Sequence, residues 1–197
     1  MTPSRKRNQY NSTQSQSKNS LPIKILLTAI IIVSIGIISI VAYSMQSDSE
    51  EIGFQLPLRE GLHSPPYIYT LDILVDDEPK RIPPTSGNHF EMLSRWGFLG
   101  APLVPENVVH NMEHGGVVLW YQPNQPKLAG SVNQLIEEIG QKCMVAGSYK
   151  DMSYAIAATV WGRILPLENF DAEEIKEFIS KYRGSQGPEA PLCKSQS

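Results

Sequence analysis

Pro105-Glu-Asn-Val-Val-His-Asn-Met-Glu-His-Gly-Gly-Val-Val-Leu-Trp-Tyr121 is the stretch of this 197-residue chain that says most about both fold and chemistry. Proline is favoured in the first turn of a helix and glycine commonly ends one. A short helix is therefore expected from Pro105, stopped at Gly115 or Gly116. Val117-Val-Leu-Trp-Tyr121 is β-branched and aromatic and reads as a strand. His110, Met112, Glu113 and His114 crowd the end of the helical part. If that part is helical, His110 and His114 share one face at i and i+4. If it is extended, alternation puts His110, Met112 and His114 on one face. Both conformations bring the two imidazoles together; only the second adds the thioether.

Outward from this stretch the pattern alternates in type. Residues 67–75 read as a strand and residues 76–79 as a turn. Residues 80–105 are broken by prolines and Gly87. They are expected as a loop folded against the domain, because Phe90, Met92, Leu93, Trp96, Phe98 and Leu99 need burial. Leu128, Val132, Leu135, Ile136 and Ile139 repeat at helical spacing. Residues 143–146 read as a short strand, and residues 154–165 as a long one with Gly162 as a bulge. Asp171 is a good N-cap for a helix over 172–182, with Glu174 three residues on and Gly184 ending it. Strands with interspersed helices, without regular βαβ alternation, predict an α+β domain. The expected architecture is a mostly antiparallel sheet with two helices packed on one face.

The N-terminal part differs in composition. Residues 1–24 form a polar, basic tail without acidic residues, and residues 25–45 carry no charge. As a helix the latter would be roughly 30 Å long, the thickness of a bilayer core, so one transmembrane helix is expected to precede the domain. Arg5, Lys6, Arg7, Lys18 and Lys24 lie before it, and Asp48, Glu50 and Glu51 after. That asymmetry predicts a single-pass protein of the cell membrane with a cytoplasmic N-terminus. A cleaved signal peptide ending near Ala42-Tyr-Ser44 is the alternative. Residues 46–62 read as a linker and residues 63–197 as an extracytoplasmic α+β domain.

All 20 acidic residues follow residue 45, against 12 of the 17 basic ones, so that part stands near −8 at pH 7. Such a surface excludes nucleic-acid binding through a phosphate-contacting basic face and favours cations. Two cysteines outside a membrane suggest one Cys143–Cys193 disulfide. It would staple Gly187-Pro-Glu-Ala-Pro-Leu-Cys193, which has no periodicity of its own.

All four histidines, His63, His89, His110 and His114, lie between 63 and 114. Imidazole is the commonest protein metal ligand. Two or three histidines with Met112 would favour copper. His110, Glu113 and His114 also spell H-x-x-E-H, in which two histidines hold zinc and the glutamate is general base for a hydrolase. That reading needs a third ligand, for which Glu168, Glu173 and Glu174 are available. The plain alternative is a structural or partner-binding domain whose histidines cap a helix and bond loop carbonyls. Thr85-Ser86-Gly87 lacks the strained nucleophile elbow, and Gly115-Gly116 leads into a strand rather than a phosphate-binding helix.

Four motifs, Pro83-Pro-Thr-Ser-Gly-Asn-His-Phe90, Val109-His-Asn-Met-Glu-His-Gly-Gly-Val-Val-Leu-Trp-Tyr121, Ala158-Thr-Val-Trp-Gly-Arg163 and Gly187-Pro-Glu-Ala-Pro-Leu-Cys193, together resemble the family called domain of unknown function 3105. The resemblance covers about residues 60 to 194. Members are commonly single-span bacterial membrane proteins with the domain outside, and the resemblance implies the same here. The family usually reads P-P-T-S-G-P-H-Y and H-N-L-E-H-G. Leucine at the place of Met112 speaks against that residue as a ligand and favours His89, His110 and His114 with Glu113 or His63. The leading expectation is a site for copper or zinc: His110 and His114 as ligands, His89 third, His63 fourth, and Glu113 orienting an imidazole.

Overall fold

The computed structural model describes residues 23–45, 51–67, 71–75 and 77–195. The chain divides into two compact units, Met1–Ser49 and Glu50–Ser197.

In the first unit α1 runs from Ile23–Met45. Its described side chains lie within residues 25–37 and are exposed. Among the described residues no helix is long and apolar enough to cross a membrane. The expected transmembrane helix, the membrane as a partner and the single-pass cell-membrane placement are corrected on that finding. The basic tail, except its last two positions, and residues 46–50 of the linker lie outside the described residues.

The second unit holds β1 (Phe54–Gln55), β2 (Leu71–Val75), β3 (Glu78–Ile82), β4 (Gly97–Pro102), α2 (Pro105–Glu113), β5 (Val117–Tyr121), α3 (Pro126–Ile139), β6 (Met144–Ser148), β7 (Ile156–Val160), β8 (Arg163–Leu167), α4 (Ala172–Tyr182) and α5 (Leu192–Ser195). Among the described residues one sheet has six strands in the order β1-β8-β7-β5-β6-β4, and β2 and β3 form a separate hairpin. The larger sheet is mixed. β5 and β4 both pair parallel to β6, whereas β1, β8, β7 and β5 pair antiparallel in turn. The mostly antiparallel sheet expected from the sequence is thereby corrected.

The physical reason lies in one crossover. β5, α3 and β6 form a β-α-β unit, and a helix between adjacent strands returns the chain to the same end, making them parallel. The unbroken apolar run of β5 carries the same information. All five of its residues are buried, as expected of a strand covered on both faces rather than one.

The two faces have separate cores. On one, Val117, Leu119, Met144, Ile156 and Ala158 pack with Leu128, Val132, Leu135 and Ile136 of α3 and with Ile175, Phe178, Ile179 and Tyr182 of α4. On the other, Val118, Trp120, Val145 and Ala157 pack with Val108, Val109 and Met112 of α2 and with Ile82, Leu103 and Trp161. Asp171 caps α4 by accepting from the backbone N–H of Glu173 and Glu174, each at 3.0 Å.

Two further expectations shift. The loop expected over 80–105 contains most of β3 and the whole of β4. The long strand expected over 154–165 is a hairpin, in which Val160 pairs with Arg163 across the two-residue turn Trp161-Gly162. Gly162 has φ +74°, the left-handed backbone such turns require, and is a turn residue rather than a bulge.

The disulfide joins Cys143 to Cys193 with Cα atoms 5.4 Å apart and a separation of 50 positions in sequence. Chain entropy of a loop that long sets its stabilisation at about 4 kcal/mol. Replacing both cysteines by serine should lower the unfolding free energy by about that amount in a urea titration. A loss under about 1 kcal/mol would show that the tail is held without the bridge.

Candidate metal centre

α2 is the element that assembles the site, and its termination explains how. Gly115 N–H donates to the Met112 carbonyl at 2.9 Å and Gly116 N–H to that of Asn111 at 2.8 Å, the paired bonds of a Schellman motif. Gly115 holds φ +88°. The last turn is thus regular up to the stop, and His110, Glu113 and the cap residue His114 leave the same side of the helix. The helical alternative of the sequence reading holds. Met112 consequently points into the core, fully buried, with its sulfur accepting from Thr159 Oγ1 at 3.2 Å. It is no part of the histidine cluster.

The other two histidines come from loops tied to each other. His89 N–H donates to the Leu62 carbonyl at 2.9 Å, Leu62 N–H to Asn88 Oδ1 at 3.1 Å, and Arg59 N–H to Ser86 Oγ at 3.1 Å. Phe90 N–H donates to the Glu106 carbonyl at 3.1 Å, fastening the loop to the start of α2. Gly162 N–H donates to the Thr85 carbonyl at 2.9 Å, fastening it to the β7–β8 turn. These bonds lay residues 59–63 beside residues 85–90 and set both against the last turn of α2.

The result is a triangle of imidazoles. Ring centroids of His63, His89 and His110 are 4.8 to 4.9 Å apart in each pair. Their Nε2 atoms converge on one carboxylate oxygen, Glu113 Oε2, at 3.8 Å from His63, 3.1 Å from His89 and 3.8 Å from His110. Two ligands bound at about 2.05 Å to a tetrahedral ion stand about 3.3 Å apart, so these separations suit ligands of one ion. His89 is fully buried, and the side chain of His63 is 41% exposed, leaving one side open.

Hydrogen bonding fixes which nitrogens face inward. His89 Nδ1 lies 2.8 Å from the Gly87 carbonyl and His110 Nδ1 lies 2.8 Å from that of Phe90. A carbonyl only accepts, so both Nδ1 atoms must donate. A neutral ring then carries its lone pair on Nε2, aimed at the Glu113 carboxylate. Two acceptors face each other there unless a proton or a metal ion stands between them. Backbone carbonyls that orient metal-binding imidazoles act in this way.

His110 also carries an electrostatic signature. Burial lowers its pKa below the usual 6.5 in spite of the bond to the Phe90 carbonyl; His114 and His89 lower it further, and Glu113 opposes them.

His114 stands to one side. Its Nε2 is 3.1 Å from His110 Nε2 and 3.1 Å from Glu189 Oε2. Among the described residues those that could hold a metal ion fall into two sets, His63, His89, His110 and Glu113, and Glu113, His114 and Glu189. The expected roles shift accordingly: His63 stands with His89 and His110, while His114 stands with a residue the sequence reading did not consider. Glu189 lies inside the Gly187–Cys193 motif beside the disulfide, which was the available signal. Glu168, Glu173 and Glu174 belong to neither set; Glu173 pairs with Lys176 on α4 at 3.3 Å.

The sequence profile of the family described as protein of unknown function (DUF3105) matches residues 79–196. No curated protein and no solved structure matches the chain.

Because burial lowers the His110 pKa, the folded protein resists a proton that the unfolded chain accepts near 6.5. Stability is therefore unaffected above that pH and lost as pH falls below it towards the folded value. For chelator-treated protein the urea midpoint should drop between about pH 7.5 and about pH 5.5, and drop less in His110→Asn. Equal drops in the two proteins would remove His110 as the cause.

Proposed function

We propose that this chain, which belongs to the DUF3105 family, binds a divalent transition-metal ion through His63, His89 and His110 Nε2 and the carboxylate of Glu113. The observation that carries this reading is the inward aim of the His89 and His110 lone pairs at a buried carboxylate, enforced by the Gly87 and Phe90 carbonyls. Imidazole and carboxylate together suit zinc, and imidazole also suits copper. With Met112 turned into the core the set lacks a soft sulfur ligand, which weakens the case for Cu(I) and puts zinc first, with Cu(II) as competitor.

Binding is better supported than catalysis. In the H-x-x-E-H hydrolase reading His110 and His114 hold zinc and Glu113 stands back as base to a bound water. Here Glu113 Oε2 lies among three imidazole nitrogens, in a ligand position. The domain is then a metal-handling module rather than an enzyme.

The full chain, stripped with chelator, offered Zn(II) or Cu(II) separately and desalted, should retain stoichiometric ion by elemental analysis. His89→Ala/His110→Ala should retain almost none while keeping its circular dichroism. At an ion concentration of about 1,000 Kd the wild type gains about 4 kcal/mol of stability by mass action. Trace metal in a well-folded wild type would sink the proposal and leave a structural or partner-binding domain. Metal-dependent ester hydrolysis abolished by Glu113→Gln with the ion retained would bring back the hydrolase.

A further inference from the structure

We propose that Glu113 bridges two metal ions: the one assigned above, and a second held by His114, Glu189 and the remaining carboxylate oxygen of Glu113. The inference rests on the metal-binding reading and deepens it. Its first ground is the division of ligand atoms. Two sets, each with all its atoms within 4.8 Å of one another, share one residue, Glu113. A carboxylate offers two oxygens, and Oε2 already faces the three imidazoles of the first set, which leaves Oε1 for a neighbour.

The second ground is the pair of close contacts at His114 Nε2. His110 Nδ1 donates to Phe90, so its Nε2 presents a lone pair to His114 Nε2 at 3.1 Å. His114 Nε2 also faces Glu189 Oε2 at 3.1 Å. With His110 Nε2 on the first ion, the His114 Nε2–Glu189 Oε2 contact is filled by a proton or by a second ion. If each nitrogen takes its own ion, neither needs that proton. The two rings sit on adjacent positions of one helical face, as ligands of two neighbouring ions would.

Third, Glu189 is put there by backbone bonds. Its N–H donates to the Glu113 carbonyl at 3.1 Å, and Cys193 N–H to that of His114 at 3.1 Å, with the disulfide closing the segment. The second set supplies three protein ligands, and the Glu189 side chain is 51% exposed. A divalent ion there keeps a position open to water, as catalytic rather than structural sites do.

Chelator-treated full chain titrated with Co(II), followed by visible absorbance, should show two breaks, at one and at two equivalents. Glu189→Gln and His114→Asn should each remove the second break and keep the first. Cu(II) loaded at two equivalents should show an electron paramagnetic signal well below two spins, from coupling across the bridge. A single break unchanged by Glu189→Gln would overturn the second ion and leave the first site standing. Two breaks insensitive to both variants would place the second ion elsewhere and equally overturn it. The absence of any break would end both readings.

Discussion

The backbone stop at Gly115-Gly116 is the constraint on which the rest of the second unit depends. A side chain on Gly116 would collide with Trp96 and the Asn111 carbonyl, and one on Gly115 with the backbone of Ala190. The chain can therefore turn from α2 into β5 within two residues, and the C-terminal segment can lie backbone against backbone on the end of the helix. That segment answers the helix's own need. The last carbonyls of a helix have no internal partner. Here Glu113, His114 and Gly115 give theirs to the N–H groups of Glu189, Cys193 and Gly184. One junction thus delivers β5 to the centre of the sheet, aims the chemical side chains of the last turn, and seats Glu189 beside them.

The polar cluster obeys a second rule, set by tautomers rather than sterics. Buried polar groups are almost always satisfied. His89 and His110 meet it on their outer nitrogens through main-chain carbonyls, and in doing so turn acceptor nitrogens towards a carboxylate. The inner contacts are complete when a proton or a metal ion stands there. The C-terminus of α2 adds partial negative charge, and the surrounding domain is acidic. Helix end, carboxylate and lone pairs all have the sign that favours a positive ion.

Local features were legible in the sequence where one short-range signal decides them. The Asp171 cap, the apolar stripe of α3, the glycine stop after α2 and the pairing of the cysteines are of that kind. The i, i+4 placement of His110 and His114 was visible too, but not that they would divide between two candidate sets. That division depends on the docking of residues 59–63 and 187–193, which no local periodicity encodes. The mixed sheet was missed because α3 was weighed as one helix among strands. With β5 and β6 at its ends it is a crossover, and the both-faces-buried composition of β5 already said so. Two strands apiece were hidden in the proline-broken stretch before α2 and in the stretch after residue 154, the second because Trp161-Gly162 is a turn rather than a bulge. The apolar stretch at residues 25–45 is helical as expected, yet apolar content alone did not establish a span.

The candidate ligand positions are held by forces other than a metal. His89 and His63 are fixed by main-chain bonds between two loops, His110 and Glu113 by a helix packed on the sheet, and Glu189 by the tail and its disulfide. In small domains where metal creates the fold, the apo chain is unstructured and the binding energy is folding energy. Here both faces of the sheet are buried by apolar side chains, and Trp161 of one core packs edge-on against His89, so the scaffold stands before any ion arrives. An ion entering such a preformed site meets little reorganisation, and its binding energy appears as affinity. The donor set bears on the choice of ion: Nε2 and oxygen atoms held 3.1 to 3.8 Å apart suit a small, borderline cation at about 2 Å from each ligand. Calcium is disfavoured by the donors: it takes oxygen ligands, and three of these four groups are imidazoles.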